Sequence, residues 1–309
     1  VALYTTTPAS QVAYVVRDSG ATVLIVSTGL QLRKADRATD DCPDIVSIVS
    51  MAEPRKARPG TPVTTWADAL AEGARQTLDL GEDVVTPDDL SALIYTSGTT
   101  GEPKGVMMTH RNLMSNAQAA LDRIEVTEDD VHLSFLPLSH AFERTAGYTT
   151  VMAAGAQIVY AESIDAISKN LPEVRPTLMV SVPRLFERVY TTIQRSVAEG
   201  SLLKRGLFAW AVDVGTAVAQ REAEGKPIWP PLRAQHTLAQ KLVFSTLHEK
   251  LGGRIKFAIS GGAALPEEIG AFFQAAGIRL IEGYGLSETA PILAANPTHA
   301  PQYGTVGWV

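Results

Sequence analysis

The sequence predicts an α/β fold in which layers of parallel sheet are flanked by helices. Short apolar runs rich in β-branched residues alternate with segments of helical periodicity along most of the chain. Strands that alternate with helices form parallel βαβ units, and both faces of such a sheet are covered. The composition, 45% hydrophobic and 19% charged residues, is that of a soluble globular protein with a sizeable core.

In the first part of the chain, the predicted strands are continuous apolar runs and the predicted helices carry spaced apolar residues. TVLIVS at residues 22–27 is such a run, and the Pro-, Arg- and Thr-rich stretch at residues 55–65 predicts a loop. The predicted order is a helix at Ala9–Ser19, strands at 22–27 and 45–49, the loop at 55–65, a helix at 67–73, and strands at 90–95 and 106–109.

The second part repeats this alternation. Three prolines at residues 226–231 predict a loop or tight turn, and Pro266 suits the first turn of a helix. The predicted strands are at residues 131–136, 156–160, 177–182, 255–260 and 278–281. The predicted helices are at residues 110–123, 184–198, 202–222, 238–251 and 266–276.

Net charge, cysteine content and the lengths of the apolar runs limit the classes of function and the cellular compartments that we expect. The net charge of −6 argues against broad nucleic-acid binding, which needs a basic face. Cys42 is the only cysteine, so no internal disulfide forms, and we expect it to be a small buried or loop residue in a reducing compartment. No apolar run approaches bilayer length and no signal peptide is visible, so we expect a cytoplasmic protein.

The segment YTSGTTGEPKG, at residues 95–105, follows an apolar strand and predicts a phosphate-binding loop. Its glycines permit φ > 0 and close approach of the backbone to a ligand, and Lys104 adds a mobile cation. It is not a Walker A loop, and a flexible turn is the alternative interpretation. The residues expected to hold phosphate are Thr96, Ser97, Gly98, Thr99, Thr100, Gly101 and Lys104.

Three further segments follow in order. SGGAAL at residues 260–265 lies between a strand and a helix, and its small residues would let a flat ring pack on the backbone. EGYGLSET at residues 282–289 contains Glu288, a carboxylate of the kind that Mg²⁺ takes. LPLSHAFER at residues 136–144 contains His140, whereas the other histidines are expected to be structural or exposed.

Together these segments resemble the adenylate-forming superfamily of acyl-CoA synthetases, luciferases and peptide-synthetase adenylation domains. The resemblance implies that Tyr284 stacks on adenine, Ser287 touches the α-phosphate and Glu288 binds Mg²⁺. It also implies that His140 lies at the mouth of the acyl site. The remaining positions implied to bind nucleotide are Gly262, Ala263, Glu282, Gly283 and Gly285, and Thr96 is the second implied metal residue.

The HAFER run resembles the gate segment of long-chain fatty acid–CoA ligases, although Arg144 stands where some members carry an aromatic gate residue. The resemblance implies that residues 1–309 are part of the large N-terminal AMP-binding domain, with approximate subdomain pieces at 1–85 and 86–309. The C-terminal lid domain would be absent, and we expect the chain alone to show weak or no turnover.

The implied substrates are a long-chain fatty acid, ATP and coenzyme A, with Mg²⁺ as cofactor. Peripheral association with a membrane stays open, and oligomeric state is not indicated. Two alternatives remain at this point: a fatty acyl-AMP ligase that stops at the adenylate or passes it to a carrier protein, and a nucleotide-binding fragment without catalysis.

Overall fold

The computed structural model describes residues 1–53, 62–77, 85–96, 101–298 and 301–307. Its internal contacts divide the chain into two compact units, Val1–Arg111 and Asn112–Val309. The predicted subdomain boundary between residues 85 and 86 lies within the first unit and stays a prediction. No helix of the described residues is both long enough and apolar enough to cross a bilayer.

The first unit contains a parallel sheet with its helices, followed by a separate hairpin. Its helices are α1 (Ala9–Ser19), α2 (Gly29–Ala38) and α3 (Trp66–Gly73). Its parallel strands are β1 (Val23–Val26), β2 (Ser47–Ser50) and β3 (Val63–Thr65), in that spatial order. The hairpin pairs β4 (Leu90–Thr96) with β5 (Lys104–Thr109) in antiparallel fashion.

Local signals explain where these helices begin and end. Helix α1 stops at Gly20, which takes the left-handed conformation (φ +66°) that glycine adopts without penalty. The hydroxyl of Thr28 accepts the N–H of Gln31 and caps α2. Cys42 is buried in the apolar core of this unit, as predicted, and its Sγ lies 3.2 Å from the carbonyl oxygen of Ala13.

The second unit is built on a six-stranded sheet with spatial order β11-β10-β9-β8-β6-β7. Its strands are β6 (Val131–Ser134), β7 (Gln157–Tyr160), β8 (Leu178–Ser181), β9 (Phe257–Ser260), β10 (Arg279–Gly285) and β11 (Ile292–Ala295). Strand β11 is antiparallel to β10, and the other pairs are parallel. The α/β fold with helix-flanked parallel strands is therefore confirmed.

Helices cover the sheet of the second unit. They are α4 (His110–Leu121), which begins just before the boundary between the units, α5 (Thr150–Ala153), α6 (Ile167–Val174), α7 (Pro183–Ala198), α8 (Leu202–Ala223), α9 (Pro230–Ala239), α10 (Ser245–Lys250) and α11 (Glu267–Ala275). Two π-helical segments, Glu143–Thr149 and Gln240–Phe244, lie directly before α5 and α10.

Apolar residues on opposite faces of the sheet enter two different clusters. Leu133, Met179 and Leu280 belong to the large cluster with residues of α7, α8 and α11. Leu178 and Ile281 belong to a smaller cluster on the other face, together with Val151 of α5. This alternation follows from the two-residue period of side chains along a strand.

The structure also corrects several predicted elements. The sequence predictions omitted α2, α5 and β11, and they placed β3 in the predicted loop at 55–65. The continuous helix predicted at 238–251 consists of the end of α9, a π-helical segment and α10. The antiparallel hairpin β4–β5 departs from the expected parallel arrangement, because its connection at residues 97–103 is too short to cross over to a parallel strand.

A buried carboxylate ties the amino-terminal ends of three neighbouring strands together. Asp130 precedes β6 and is fully buried, and it accepts hydrogen bonds from Thr177 (2.6 Å) and Lys256 (2.8 Å), which precede β8 and β9. Burial raises the pKa of Asp130, but the bonds from Lys256, Thr177 and the Thr127 N–H outweigh it and hold that pKa below its ordinary value.

We expect Asp130→Asn to lower the free energy of unfolding by about 1–3 kcal/mol at neutral pH, because it breaks a charge-assisted network around a buried group. Since the folded-state pKa is lowered, the stabilisation is present above the unfolded carboxyl pKa and disappears as pH falls through the folded one. Urea unfolding at pH 7 and pH 3 would measure the difference in free energy of unfolding between wild type and Asp130→Asn at each pH. Asp129→Asn, at the exposed neighbouring residue, is the control. An equal difference between wild type and Asp130→Asn at both pH values would contradict this account.

Candidate functional site

The predicted phosphate loop connects the two strands of the β4–β5 hairpin. Thr96 and Lys104 are Cα partners in the last pair of the ladder, so they stand at the base of the loop. Lys104 is exposed, which leaves its ammonium group accessible to a ligand. Four predicted site residues, Ser97, Gly98, Thr99 and Thr100, lie outside the described residues.

Among the described glycines of this loop, Gly105 serves close packing rather than an unusual backbone conformation. Neither Gly101 nor Gly105 has a positive φ, which corrects the expectation from the sequence. A side chain at Gly105 would place its Cβ 3.0–3.3 Å from ring atoms of Tyr95, its partner across the hairpin. The Tyr95 hydroxyl donates to Asp18 at 2.5 Å, and burial followed by this contact raises the pKa of Tyr95.

In the second unit, the turn after β9 is exposed and made of small residues. Gly262 has φ +83°, a conformation that favours glycine, and both Gly262 and Ala263 are exposed. The preceding Gly261 is buried and donates its N–H to the carbonyl of Ser181, at the end of β8. The turn is therefore held by the sheet while its tip stays open to a ligand.

Glu282 fixes this turn from the neighbouring strand. Its side chain is buried, and its Oε1 accepts the N–H of Leu265 at 3.0 Å. Within the described chain, its Oε2 and the hydroxyl of Ser260 are buried without a hydrogen-bond partner. Direct nucleotide contact by Glu282 and Gly283 stays a prediction, but the carboxylate has a clear role in shaping the turn.

The last residues of β10 and the turn that follows them contain the remaining predicted residues. Tyr284 is 47% exposed, and Glu288 is exposed in the 3-10 turn Ser287–Thr289. Thr289, which the sequence analysis did not single out, donates to the carbonyl oxygens of Leu286 (2.9 Å) and Pro291 (2.7 Å). The same neighbour, Pro291, approaches Gly285 so closely that a side chain there would collide with its carbonyl.

No group of three or more His, Cys, Asp or Glu side chains in the described part of the chain is arranged to hold a metal ion. A divalent cation would therefore take few protein ligands here and would depend on ligand phosphates, which is how Mg²⁺ is commonly bound. Among the described residues, the carboxylate of Glu288 has neither a hydrogen bond nor an ion pair, so this donor is available for such an ion.

The gate segment places His140 at the surface with a defined ring orientation. The Phe142 N–H donates to its Nδ1 at 3.2 Å, so the neutral ring carries its proton on Nε2. Desolvation by neighbouring atoms lowers the pKa of His140, which favours that neutral form at pH 7. His140 thus offers one N–H donor to a carboxylate or phosphate oxygen.

Sequence reasoning missed Glu143, three residues after His140. Its side chain is fully buried, and it accepts a hydrogen bond from Ser134 at 2.5 Å. His132, expected to be structural, is buried beside it with Nε2 at 3.3 Å from the same carboxylate oxygen. Polar residues at alternate positions of β6, an otherwise apolar strand, were the available signal for this buried network.

The second unit therefore gathers three predicted segments at one edge of its sheet. They follow β6, β9 and β10, and ligands of open α/β sheets bind at the carboxyl ends of parallel strands. A protein-family model described as AMP-binding enzyme matches residues 1–309. The chain belongs to this AMP-binding enzyme family.

Relatives of this chain are named as fatty-acid–CoA ligases and as an acyl-carrier-protein ligase. It is 37% identical over 251 residues to the putative fatty-acid–CoA ligase fadD11 of Mycobacterium tuberculosis, covering 81% of this chain and 44% of the relative. It is 34% identical over 314 residues to the long-chain-fatty-acid–CoA ligase FadD15 of Mycobacterium bovis, covering 99% and 50%. A chloroplastic long-chain-fatty-acid–[acyl-carrier-protein] ligase of Arabidopsis thaliana, AEE15, is 32% identical over 279 residues, covering 80% and 38%.

Solved structures agree on the fold. The A-PCP didomain of a carboxylic acid reductase from Segniliparus rugosus, in complex with AMP, matches with a TM-score of 0.69 at 22% identity, covering 96% of this chain and 40% of that one. The chain of this protein spans about half the length, or less, of the curated relatives described above. The fold and the family are therefore shown.

We expect Gly105→Ala to destabilise the protein by about 1–3 kcal/mol, because the new methyl group would crowd the Tyr95 ring and displace it from Asp18. Gly101→Ala is the matched control, since its Cβ would meet nothing within 4 Å. Ligand-free thermal melting of both variants would measure the difference. Equal melting temperatures for the two variants would show that the Tyr95 contact does not matter.

Proposed function

We propose that this chain carries nucleotide- and acyl-binding residues of an enzyme that activates a long-chain fatty acid, first as acyl-AMP and then as acyl-CoA. The observation that supports it best is the grouping, at one sheet edge, of an exposed small-residue turn, an exposed tyrosine, an exposed carboxylate and an exposed histidine whose Nδ1 accepts a backbone hydrogen bond. The names of the fatty-acid–CoA ligase relatives agree with this proposal.

In the proposed reaction, the adenine ring stacks on Tyr284 and packs against the backbone at Gly262 and Ala263. Two exposed small residues leave room for a flat ring, and an aromatic face adds favourable stacking. Lys104 supplies a positive charge to the phosphates from the base of its loop, together with the hydroxyls of Thr96, Ser97, Thr99 and Thr100.

Mg²⁺, when bound, would neutralise phosphate charge and polarise the reacting phosphoryl group. The exposed carboxylate of Glu288, which has no hydrogen bond or ion pair among the described residues, fits a hard cation. Ser287, in the same turn as Glu288, is proposed to contact the α-phosphate.

His140 orients the fatty carboxylate through its Nε2–H. The carboxylate oxygen then attacks the α-phosphorus, a P–O bond forms, and the bond to pyrophosphate breaks. In the second half, the CoA thiol attacks the acyl carbon, the thioester forms and AMP leaves. The protein acts mainly by positioning and by stabilising developing charge.

A fatty acyl-AMP ligase is the second candidate. It would perform the same first half and pass the acyl group to a carrier protein instead of CoA. This second candidate is supported by the similarity to a relative named as an acyl-carrier-protein ligase. The two candidates differ only in the acceptor thiol, so they share every residue role proposed for the first half.

We expect Lys104→Ala and Glu288→Ala, in the full protein, to slow fatty-acid-dependent ATP–pyrophosphate exchange about 10²-fold each, because each removes charge stabilisation of the phosphates. The exposed Lys169→Ala and Glu268→Ala are matched controls. Wild-type exchange rates in both site variants would remove these two residues from the proposed site.

We expect the full protein to form acyl-CoA from a long-chain fatty acid, ATP and CoA, and residues 1–309 alone to turn over weakly. Chromatographic detection of the thioester, with and without CoA, tests the first statement. Acyl-AMP accumulation despite added CoA would favour the acyl-AMP ligase. The remaining alternative is a nucleotide-binding protein without catalysis, and calorimetric titration of the chain with ATP tests it. ATP binding by the chain, together with no turnover by the full protein, would indicate this alternative.

A further inference from the structure

The carboxylate of Glu143 is placed by contacts from two elements. Ser134 and His132, both on β6, face its Oε1 at 2.5 Å and 3.3 Å. On its own π-helical segment, Gly147 leaves the room that the carboxylate occupies, since a Cβ there would lie 2.6 Å from three of its atoms. The sequence thus provides both hydrogen-bonding groups and space for one fully buried charge-bearing side chain.

Glu143 is linked to His140 through the peptide between them. The Phe142 N–H, which belongs to the residue adjacent to Glu143, donates to His140 Nδ1 at 3.2 Å. The Arg144 N–H, on the other side, bonds the His140 carbonyl at 3.1 Å. A shift of the Glu143 backbone would therefore rotate the imidazole and release the hydrogen bond that sets its tautomer.

The same segment also touches the turn after β9. The ring of Phe142 lies against Gly261, where an added Cβ would approach three ring atoms at 2.7–3.1 Å. Gly261 directly precedes Gly262, at the exposed tip of that turn. One anchor at Glu143 can thus maintain both the ring orientation of His140 and the packing of Phe142 beside this turn.

A second buried carboxylate, Asp130 directly before β6, shows what a purely stabilising contact set looks like. Asp130 has partners on both oxygens: Thr177 and Lys256 on Oδ1, and Thr127 on Oδ2. In contrast, Glu143 Oε2 and His132 Nδ1 are buried without partners among the described residues. An incompletely paired buried carboxylate costs stability, and a role in a functional geometry is one reason for keeping such a group.

We propose that Glu143 is the positioning residue for His140: its buried carboxylate, held by Ser134 and His132, fixes the Phe142 amide that orients the imidazole. This proposal rests on the proposed function for the role of His140 in the reaction. The orientation itself is a property of the ligand-free protein, so it can be tested separately.

Two substitutions separate hydrogen-bond acceptance from volume. Glu143→Gln keeps an acceptor oxygen for Ser134, whereas Glu143→Met fills similar space without one. Asp130→Asn is the matched control, because it removes a buried carboxylate from the other end of the same strand. Ser134→Ala removes one donor to Glu143 and changes the volume little.

Two properties are measured on the full protein. The first is kcat and KM for adenylation. The second is the ¹³C NMR signal of the His140 ring, recorded without ligands at one pH and assigned by its loss in His140→Gln. We expect Glu143→Met to lower kcat about tenfold or more with little change in KM for ATP, because misplacing a reacting group affects the chemical step. Its His140 signal should shift or broaden. Glu143→Gln should stay within about threefold of wild type, and Asp130→Asn should lower the melting temperature without moving the His140 signal.

The proposal would be overturned if folded Glu143→Met kept both the wild-type kcat and the wild-type His140 signal. It would also be overturned if Glu143→Gln and Glu143→Met lowered kcat equally. If Glu143→Met does not fold, Ser134→Ala decides: a shifted His140 signal supports the proposal, and a wild-type signal overturns it. A wild-type protein that does not adenylate fatty acids would contradict the proposed function, while the His140 signal would still decide whether Glu143 positions that ring.

Discussion

Backbone hydrogen bonds between β8, β9 and β10 place Ser181, Ser260 and Glu282 side by side, where these three parallel strands approach their carboxyl ends. Because the strands are in register, the segments that follow them leave the sheet at the same edge. The turn at Gly262 and the segment from Tyr284 to Glu288 depend on this alignment. A shift of one residue in either pair would turn the row of polar side chains to the opposite face and break up the site.

The sequence predicted most of this edge because its signals are local. Continuous apolar runs identify buried strands, and small residues directly after them identify open turns. An open turn at Gly262 and Ala263 followed from these local signals, whereas their contact with a nucleotide was implied by the family resemblance and stays a prediction. Glu143 and Thr289 were missed because their roles depend on partners that local sequence does not reveal. The carboxylate of Glu143 has meaning only when β6 lies beneath it, and Thr289 matters through the carbonyl of Pro291. The contact between Phe142 and Gly261 joins segments more than a hundred residues apart, which no periodicity can indicate.

The two ends of the parallel strands differ in how completely their buried polar groups are hydrogen-bonded. At the amino-terminal ends of β6, β8 and β9, Asp130 pairs with Lys256 and Thr177 in a closed network. At the carboxyl ends, Ser260, Glu282 and Glu143 keep unpaired atoms within the described residues. Since each unpaired buried group costs about 1–3 kcal/mol, the buried polar groups stabilise the sheet more at its amino-terminal end than at its carboxyl end.

The two π-helical segments show why helical periodicity alone could not predict this chain. Each begins with a long polar residue, Glu143 or Gln240, whose side chain reaches other elements. Gln240 lies 3.1 Å from ring nitrogens of His236 and His248, and His248 contacts the carbonyl of Ala276 at 2.8 Å, just past the end of α11. A π-turn contains more residues than an α-turn, so the apolar stripe shifts and a polar side chain can turn inward. Helical periodicity therefore placed the second segment inside one continuous predicted helix at 238–251 and predicted no helix at the first, and in both it overlooked the polar side chain that contacts other elements.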